Sequence, residues 1–296
     1  MTGGARRVRV GICILPDRSW SQTGRRWRRA EELGFDHAWT YDHLTWAGLP
    51  GHDWFAAIPT LAAAAGVTSR IGLGTFVTSP NNHHPAQLIR EFATLDDLSG
   101  GRMLLGAGSG GTLDAQTVAE GIDLRTRTDR FADFTVLLDL LLHRESVTWR
   151  GSHYAVRDAA THPGPLNTPD RVRVPLLVAA NGPRAVRLAV GHGDGWITYG
   201  GKADDVEDWW RLVGQVSDRV DAEIDRQGRD RPLRRVLGLD SSPVYSLGSL
   251  AAFEDAVTRA ERLGFTDVVC VWPRESAPYA GTEAMLERIA RAFLSD

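Results

Sequence analysis

The sequence predicts an α/β fold, a (β/α)8 TIM barrel with a hairpin and loop insertion before the fifth strand, and three observations carry that expectation. Eight short β-like runs alternate with eight amphipathic helical patterns along the whole chain. Two turns are near copies of each other: Glu31-Glu32-Leu33-Gly34-Phe35-Asp36 and Glu261-Arg262-Leu263-Gly264-Phe265-Thr266-Asp267 both put glycine between a helix end and a strand start, as a repeating βα unit requires. Four glycine-rich turns, at 72–75, 106–111, 179–183 and 193–196, each close an apolar run. In a barrel the loops that follow the strands open on one face, and glycine there lets backbone N–H groups approach a phosphate or a flat ring.

The strands are placed at Val8–Leu15, His37–Tyr41, Ile71–Val77, Met103–Gly106, Val174–Ala179, Gly195–Thr198, Arg235–Val244 and Val268–Trp272. Each is short, apolar and bounded by turn residues. Between them, spacing at three and four residues predicts helices over Thr23–Leu33, Phe55–Ala65, Pro85–Leu98, Arg127–His143, Pro183–Val190, Ala203–Gln227, Ser249–Leu263 and Thr282–Leu294. Pro85 suits a first helical position, Ser249 precedes an apolar face as an N-cap, and Gly34 and Gly264 fit the position after a helix end. From Val147 to Val172 the alternation breaks. A Val-Thr-Trp-Arg-Gly-Ser-His-Tyr-Ala-Val run followed by Pro163, Pro165 and Pro169 reads as a β-hairpin and an extended excursion inside a single domain of residues 1–296. A doubly wound sheet is the competing fold, but Gly106-Ala107-Gly108-Ser109-Gly110-Gly111 only approximates G-x-G-x-x-G and lacks the acidic partner of a dinucleotide site.

Composition narrows the function. A formal charge of −3 with no basic block argues against nucleic acid and against an anionic membrane surface, and favours a small-molecule substrate. No apolar run reaches the length of a membrane span, and the first residues show no signal-peptide core, so a cytoplasmic location is expected. Cys13 and Cys270 have no Cys or His at ligand spacing and read as core residues. Of 34 basic residues only Lys202 is lysine, the mark of a GC-rich coding sequence.

Among individual residues, Asp42-His43 stands at the end of the second strand, where an imidazole near the barrel mouth can give or take a proton. His83-His84-Pro85 resembles a metal pair, but adjacent side chains in an extended segment point apart and Pro85 favours a helix start, so no metal is expected. There is no G-x-S-x-G elbow and no phosphate loop ending in Gly-Lys, which disfavours serine-nucleophile and P-loop chemistry. Trp39, Trp46, Trp54, Trp196 and Trp272 fall at or just beyond strand ends, where aromatic walls can line a pocket for a planar ligand.

Taken in order, Tyr41-Asp42-His43, Arg70-Ile71-Gly72-Leu73-Gly74-Thr75, His84-Pro85, Ala93-Thr94-Leu95-Asp96-Asp97-Leu98-Ser99-Gly100-Gly101-Arg102, Leu105-Gly106-Ala107-Gly108-Ser109-Gly110 and Val178-Ala179-Ala180-Asn181-Gly182-Pro183 with Asp194-Gly195-Trp196 closely resemble the bacterial luciferase-like monooxygenase superfamily. Tyr41-Asp42-His43 and Thr75-Phe76-Val77-Thr78-Ser79-Pro80 are more similar to its coenzyme F420-dependent oxidoreductase branch. The resemblance implies a cofactor at the C-terminal mouth, F420 or alternatively FMN, and pairing into a homodimer. It implies a non-prolyl cis peptide at Phe76–Val77 behind the ring, with Thr78 and Asp42 beside it. It further implies Gly108, Ser109 and Gly110 along the ring and ribityl chain, and backbone donors at Ala179, Ala180, Asn181 and Gly182 for the phosphate. His43 would relay a proton and Asp42 would fix the histidine or a ring nitrogen, while Trp46, Gly111 and Trp272 would border the substrate. Sugar-phosphate dehydrogenases of the family carry glutamate where this chain has Gly111, and a tryptophan four residues after the histidine where this chain has Trp46 three after it. The implied activity is hydride transfer between deazaflavin C5 and a small molecule, by C=C or C=N reduction or by alcohol oxidation. The alternative is an FMNH2-dependent monooxygenase that uses O2.

Overall fold

The computed structural model describes residues 8–118, 126–160, 164–168 and 170–294. Its strands are β1 (Arg9–Cys13), β2 (His37–Thr40), β3 (Gly72–Thr75), β4 (Met103–Ala107), β5 (Ser146–Arg150), β6 (Ala155–Ala160), β7 (Asn167–Thr168), β8 (Arg171–Val172), β9 (Leu176–Ala179), β10 (Gly195–Thr198), β11 (Arg234–Gly238) and β12 (Asp267–Val271). Its helices are α1 (Trp20–Glu32), α2 (Ala57–Ala65), α3 (Pro85–Ser99), α4 (Thr112–Val118), α5 (Arg127–His143), α6 (Pro183–His192), α7 (Val206–Gln227), α8 (Leu250–Arg262) and α9 (Glu283–Phe293). Strands β1 to β4 and β9 to β12 form a closed barrel, all parallel, sealed by the pairing of β1 with β12 from Arg9↔Asp267 to Cys13↔Val271. This is the predicted (β/α)8 barrel.

Two apolar layers hold it. Val10, Ile12 and Ile14 alternate outward and pack under the helices with Ala38, Leu105, Val178 and Trp196, while Cys13, Trp39, Leu104, Leu177, Ile197, Val236 and Val269 form a second cluster inside the barrel. Burying one Leu or Ile side chain in this way stabilises the fold by about 1.5–3 kcal/mol. Both cysteines are free and buried, as core residues. At the foot of the barrel Trp39 Nε1 donates to His37 Nδ1 at 2.6 Å, and His37 Nε2 meets Asp267 Oδ1 at 2.9 Å. Burial lowers the His37 pKa, which keeps the ring neutral and able to accept from Trp39. Arg9 and Arg234 each reach the same carboxylate, so its charge is neutralised where water is excluded.

The end signals work as read. His84 caps α3 by accepting the Ala86 amide at 3.2 Å, with Pro85 in the first turn, and Ser249 Oγ accepts the Ala252 amide at 3.1 Å to cap α8. Two strands end well short of their expected limits, and one helix is new. The third strand stops at Thr75, and the Phe76–Val77 peptide that follows is cis. The strand placed over Arg235–Val244 stops at Gly238, because Asp240 accepts the amides of Ser246 at 2.8 Å and Val271 at 2.6 Å and holds two short 3-10 turns, Leu239–Ser241 and Ser246–Gly248, against β12. Helix α4 was not anticipated at all.

The insertion is a hairpin of β5 and β6, shifted in register between Val147 and Trp149, followed by the short β7/β8 ladder. Pro163 and Pro169 lie outside the described residues. The insertion leans on the barrel mouth through Tyr154, whose hydroxyl accepts from Arg130 Nε at 3.1 Å. No helix among the described residues is long and apolar enough to cross a membrane.

Candidate active site

The loops after β2, β3, β4, β9, β10 and β12 surround a cavity of about 870 Å³ at the C-terminal mouth of the barrel. Phe76, Val77 and Ile197 line it beside Gly108, Ser109, Gly110 and Gly111, and Tyr41, His43, Trp46 and Tyr279 line it with aromatic rings. Asp42 also lines the cavity, although it is only 7% exposed.

His43 and Asp42, adjacent in sequence, have separate partners. His43 Nδ1 lies 2.5 Å from Asp114 Oδ2, and Asp114 Oδ1 accepts the amides of Leu44 at 3.0 Å and Thr45 at 3.3 Å. Burial raises the Asp114 carboxyl, but the hydrogen bond and charge of His43 and those two amides outweigh it and hold it below the usual carboxylate range. With Nδ1 engaged, Nε2 is the ring nitrogen that remains for a ligand. Of the two roles expected of Asp42, fixing the histidine is therefore corrected: Asp114, on the unanticipated α4, does so. Asp42 Oδ2 instead accepts from Thr78 Oγ1 at 2.6 Å and meets His83 Nε2 at 2.7 Å. Burial lowers the His83 pKa, yet the bond and charge of Asp42, with Glu91 nearby, raise it overall. His83 and His84 thus point to different tasks, and among the described residues no group of three or more His, Cys, Asp or Glu is placed to hold a metal ion.

Of the residues expected along a cofactor, Phe76, Val77, Gly108, Ser109, Gly110, Ala179, Ala180, Asn181 and Gly182 all line the cavity. Thr78 does not. It is fully buried behind Asp42, its amide on the Gly106 carbonyl and its own carbonyl on the Gly108 amide, each at 2.8 Å. Of the phosphate donors expected over Ala179 to Gly182, the Ala180 amide is corrected, since it is spent on the Ile197 carbonyl at 2.9 Å, while the Asn181 side chain ties Gly200 and Thr198 together. Helix α6 starts with Gly182 as N-cap and Pro183, which has no N–H, so its first turn offers the amides of Arg184 and Ala185 to an anion. Arg184 and Arg127 line the cavity on that side.

Gly110 takes φ +83°, and a Cβ there would fall 2.3 Å from Asn81 Nδ2, which donates to the Gly111 carbonyl at 3.0 Å. Gly111 leaves room at the catalytic end: a Cβ would stand 3.3 Å from Asp114 Oδ2 and 3.6 Å from His43 Cε1.

Trp46 stands at the cavity as expected, with its ring 5.3 Å from Tyr41 and stacked at 6.1 Å on Tyr279. Trp272 does not reach it. It continues the outward alternation of Val268 and Cys270, lies 2% exposed in the outer core under the Arg26 guanidinium, and faces Glu283. Tyr279, from the loop beyond β12, occupies the cavity wall instead. Asp114, Tyr279 and Arg184 carry the parts of the site that the sequence reading missed; a Thr-Leu-Asp-Ala helix start after the fourth-strand glycines was the available signal for the first.

Residues 8–238 match the family model of luciferase-like monooxygenases. The chain is 43% identical over 176 residues to an F420-dependent glucose-6-phosphate dehydrogenase of Beutenbergia cavernae, a match covering 58% of this chain and 51% of that protein, so the chain spans about half the length of that relative. It is 36% identical over 273 residues to an F420-dependent hydroxymycolic acid dehydrogenase of Mycobacterium tuberculosis, covering 77% of this chain and 74% of that one. A solved F420-dependent secondary alcohol dehydrogenase in complex with an F420-acetone adduct has the same fold, with a TM-score of 0.80 over 98% of this chain and 100% of that one at 16% identity. With its closed barrel, its mouth cavity and a family match across residues 8–238, the chain belongs to the luciferase-like monooxygenase family.

Proposed function

We propose that this protein is an F420-dependent oxidoreductase that oxidises the hydroxyl group of a small organic molecule. The observation that carries the reading is the His43–Asp114 pair at the wall of the cavity. Relatives named as F420-dependent dehydrogenases support the same direction.

The residues fit the coenzyme. A flat apolar floor of Phe76, Val77 and Ile197 suits a ring, and the glycines at 108, 110 and 111 leave space beside it. The first-turn amides of α6 and the Arg184 guanidinium suit a phosphate at the other end. Bound there, the deazaflavin supplies a hydride acceptor at C5.

The protein's own groups manage the proton. Asp114 accepts the Nδ1 hydrogen of His43, so Nε2 presents its lone pair toward the cavity and can take the hydroxyl proton of an alcohol as the carbinol hydrogen departs as hydride. The alcohol loses one hydride, which carries the two electrons, and one proton, and becomes a carbonyl compound. The buried Asp114 carboxylate then stabilises the imidazolium. Asp42, braced by His83 and Thr78, presents a second carboxylate to the cavity without touching His43. Reduction of a C=C or C=N bond would use the same groups in reverse, with His43 giving the proton.

The test is turnover of F420 with a panel of alcohols by wild type and His43→Ala, with an oxygen electrode in the same cell. Loss of oxidised F420 without oxygen uptake, slowed by roughly 10²–10⁴ in His43→Ala, supports the reading. Oxygen consumption with FMNH2 and none of this turnover would replace it with the monooxygenase alternative.

A further inference from the structure

The aromatic end of the cavity differs in chemistry from its anion-binding end, and resting on the F420-dependent reading above, it bears on the substrate. We infer that Tyr41, Trp46 and Tyr279 form a specificity wall beside His43 that selects an uncharged alcohol on a flat hydrophobic body, aryl or alicyclic, over a phosphorylated sugar.

Four observations support this. First, the rings form a continuous surface: Trp46 stacks on Tyr279 with an interplanar angle of 11° and a centroid distance of 6.1 Å, and Tyr41 meets Trp46 edge-on at 5.3 Å and His43 at 6.0 Å. Second, the wall is held in place. Tyr279 takes φ +67° in a loop closed by the Arg274 amide on the Tyr279 carbonyl and the Gly281 amide on the Arg274 carbonyl, each at 2.9 Å. Third, the wall carries no charge. Burial pushes Tyr279 up to about 12 and Tyr41 well above its usual range, so both phenols remain protonated at any working pH. Arg274, five residues before Tyr279, is only 7% exposed and paired with Asp17, and of the arginines that line the cavity Arg184 reaches Asp129 and Arg127 reaches Thr112, next to Gly111, so neither is paired with the three rings. None of the three rings can neutralise a phosphate, and burying an unpaired phosphate against them is unfavourable. Fourth, Gly111 puts no side chain beside His43, where a Cβ would stand 3.6 Å from its Cε1.

In the reaction, the carbinol C–H of such an alcohol gives its hydride to oxidised F420, the O–H proton goes to His43, and the product is the ketone. The test has two arms. Quenching of tryptophan fluorescence is titrated with 1-phenylethanol, cyclohexanol and glucose 6-phosphate on the protein without cofactor, and F420 binding is titrated separately by its own fluorescence. The inference expects 1-phenylethanol to bind at least about tenfold more tightly than glucose 6-phosphate, Tyr279→Ala to lose that preference and Tyr279→Phe to keep it. Should Tyr279→Ala fail to fold, Trp46→Leu is expected to lose the preference in its place. Equal or tighter binding of glucose 6-phosphate would overturn the inference while leaving F420 binding intact. Failure of F420 to bind, with the aryl alcohol still preferred, would overturn the coenzyme reading and leave the wall standing.

Discussion

His43 Nδ1 lies 2.5 Å from a carboxylate oxygen of Asp114, a residue 71 positions further along the chain and 1% exposed. The pair sets both the tautomer and the aim of the imidazole, as a buried orienting carboxylate does in other acid–base sites. Asp114→Asn is expected to lower kcat by roughly 10²–10⁴ while F420 binding and far-UV circular dichroism stay unchanged. Asp42→Asn, which leaves His43 and Asp114 intact, is expected to weaken F420 binding more than it lowers kcat. Equal losses of kcat in the two variants would put the proton on Asp42 after all.

Arg184 is largely exposed, so its contribution to an anionic ligand is screened by water and salt. Arg184→Ala should weaken F420 binding by about 3- to 10-fold, and raising the salt from low to high should narrow the gap between the two proteins. Fluorescence titration of F420 at two ionic strengths measures both effects.

Gly110 combines a left-handed φ of +83° with a site where a Cβ would fall 2.3 Å from Asn81 Nδ2. Gly110→Ala should destabilise the protein by about 1–3 kcal/mol, visible as a lower Tm, and should loosen the Asn81 hold on the Gly111 carbonyl. An unchanged Tm would show that the turn can rearrange freely.

Away from the mouth, Asp139 on α5 joins His143 at 3.0 Å and His192 of α6 at 2.8 Å. Burial raises the Asp139 carboxyl, but its hydrogen bonds to the two imidazoles outweigh this and bring it down to about 2, while the bond to Asp139 raises His143. The Asp139 contribution is complete above its ordinary 3.8 and fades as pH falls toward about 2; the His143 contribution is complete below its ordinary 6.5 and fades as pH rises through its raised value. Stability from this cluster is therefore greatest between those two ordinary values. Asp139→Asn should cost about 1 kcal/mol in that window and flatten both slopes in urea titrations run across pH.

Much of this architecture was legible because its signals are local. The strand and helix periods, Pro85 and Ser249 at helix starts, and glycine after α1 and α8 are set by neighbours a few residues away, and the structure keeps them. His43 and Trp46 at the mouth followed from their place at a strand end. The errors came from contacts between distant segments. Asp114 and His43 meet only because the loops after β2 and β4 converge, and Tyr279 reaches the cavity only because its loop folds back over the barrel. Trp272 was misplaced for a local reason that could have been counted: it shares the outward parity of Val268 and Cys270. Thr78 went behind Asp42 because its backbone is taken by β4 on both sides.

The mouth cavity is the place for F420 in hydride transfer. Titration of the purified protein with F420 and with FMN, each oxidised and reduced and followed by fluorescence, tests it most directly. The account predicts micromolar or tighter binding of F420 and weak binding of FMN; tighter binding of reduced FMN, with oxygen uptake on mixing, would contradict it.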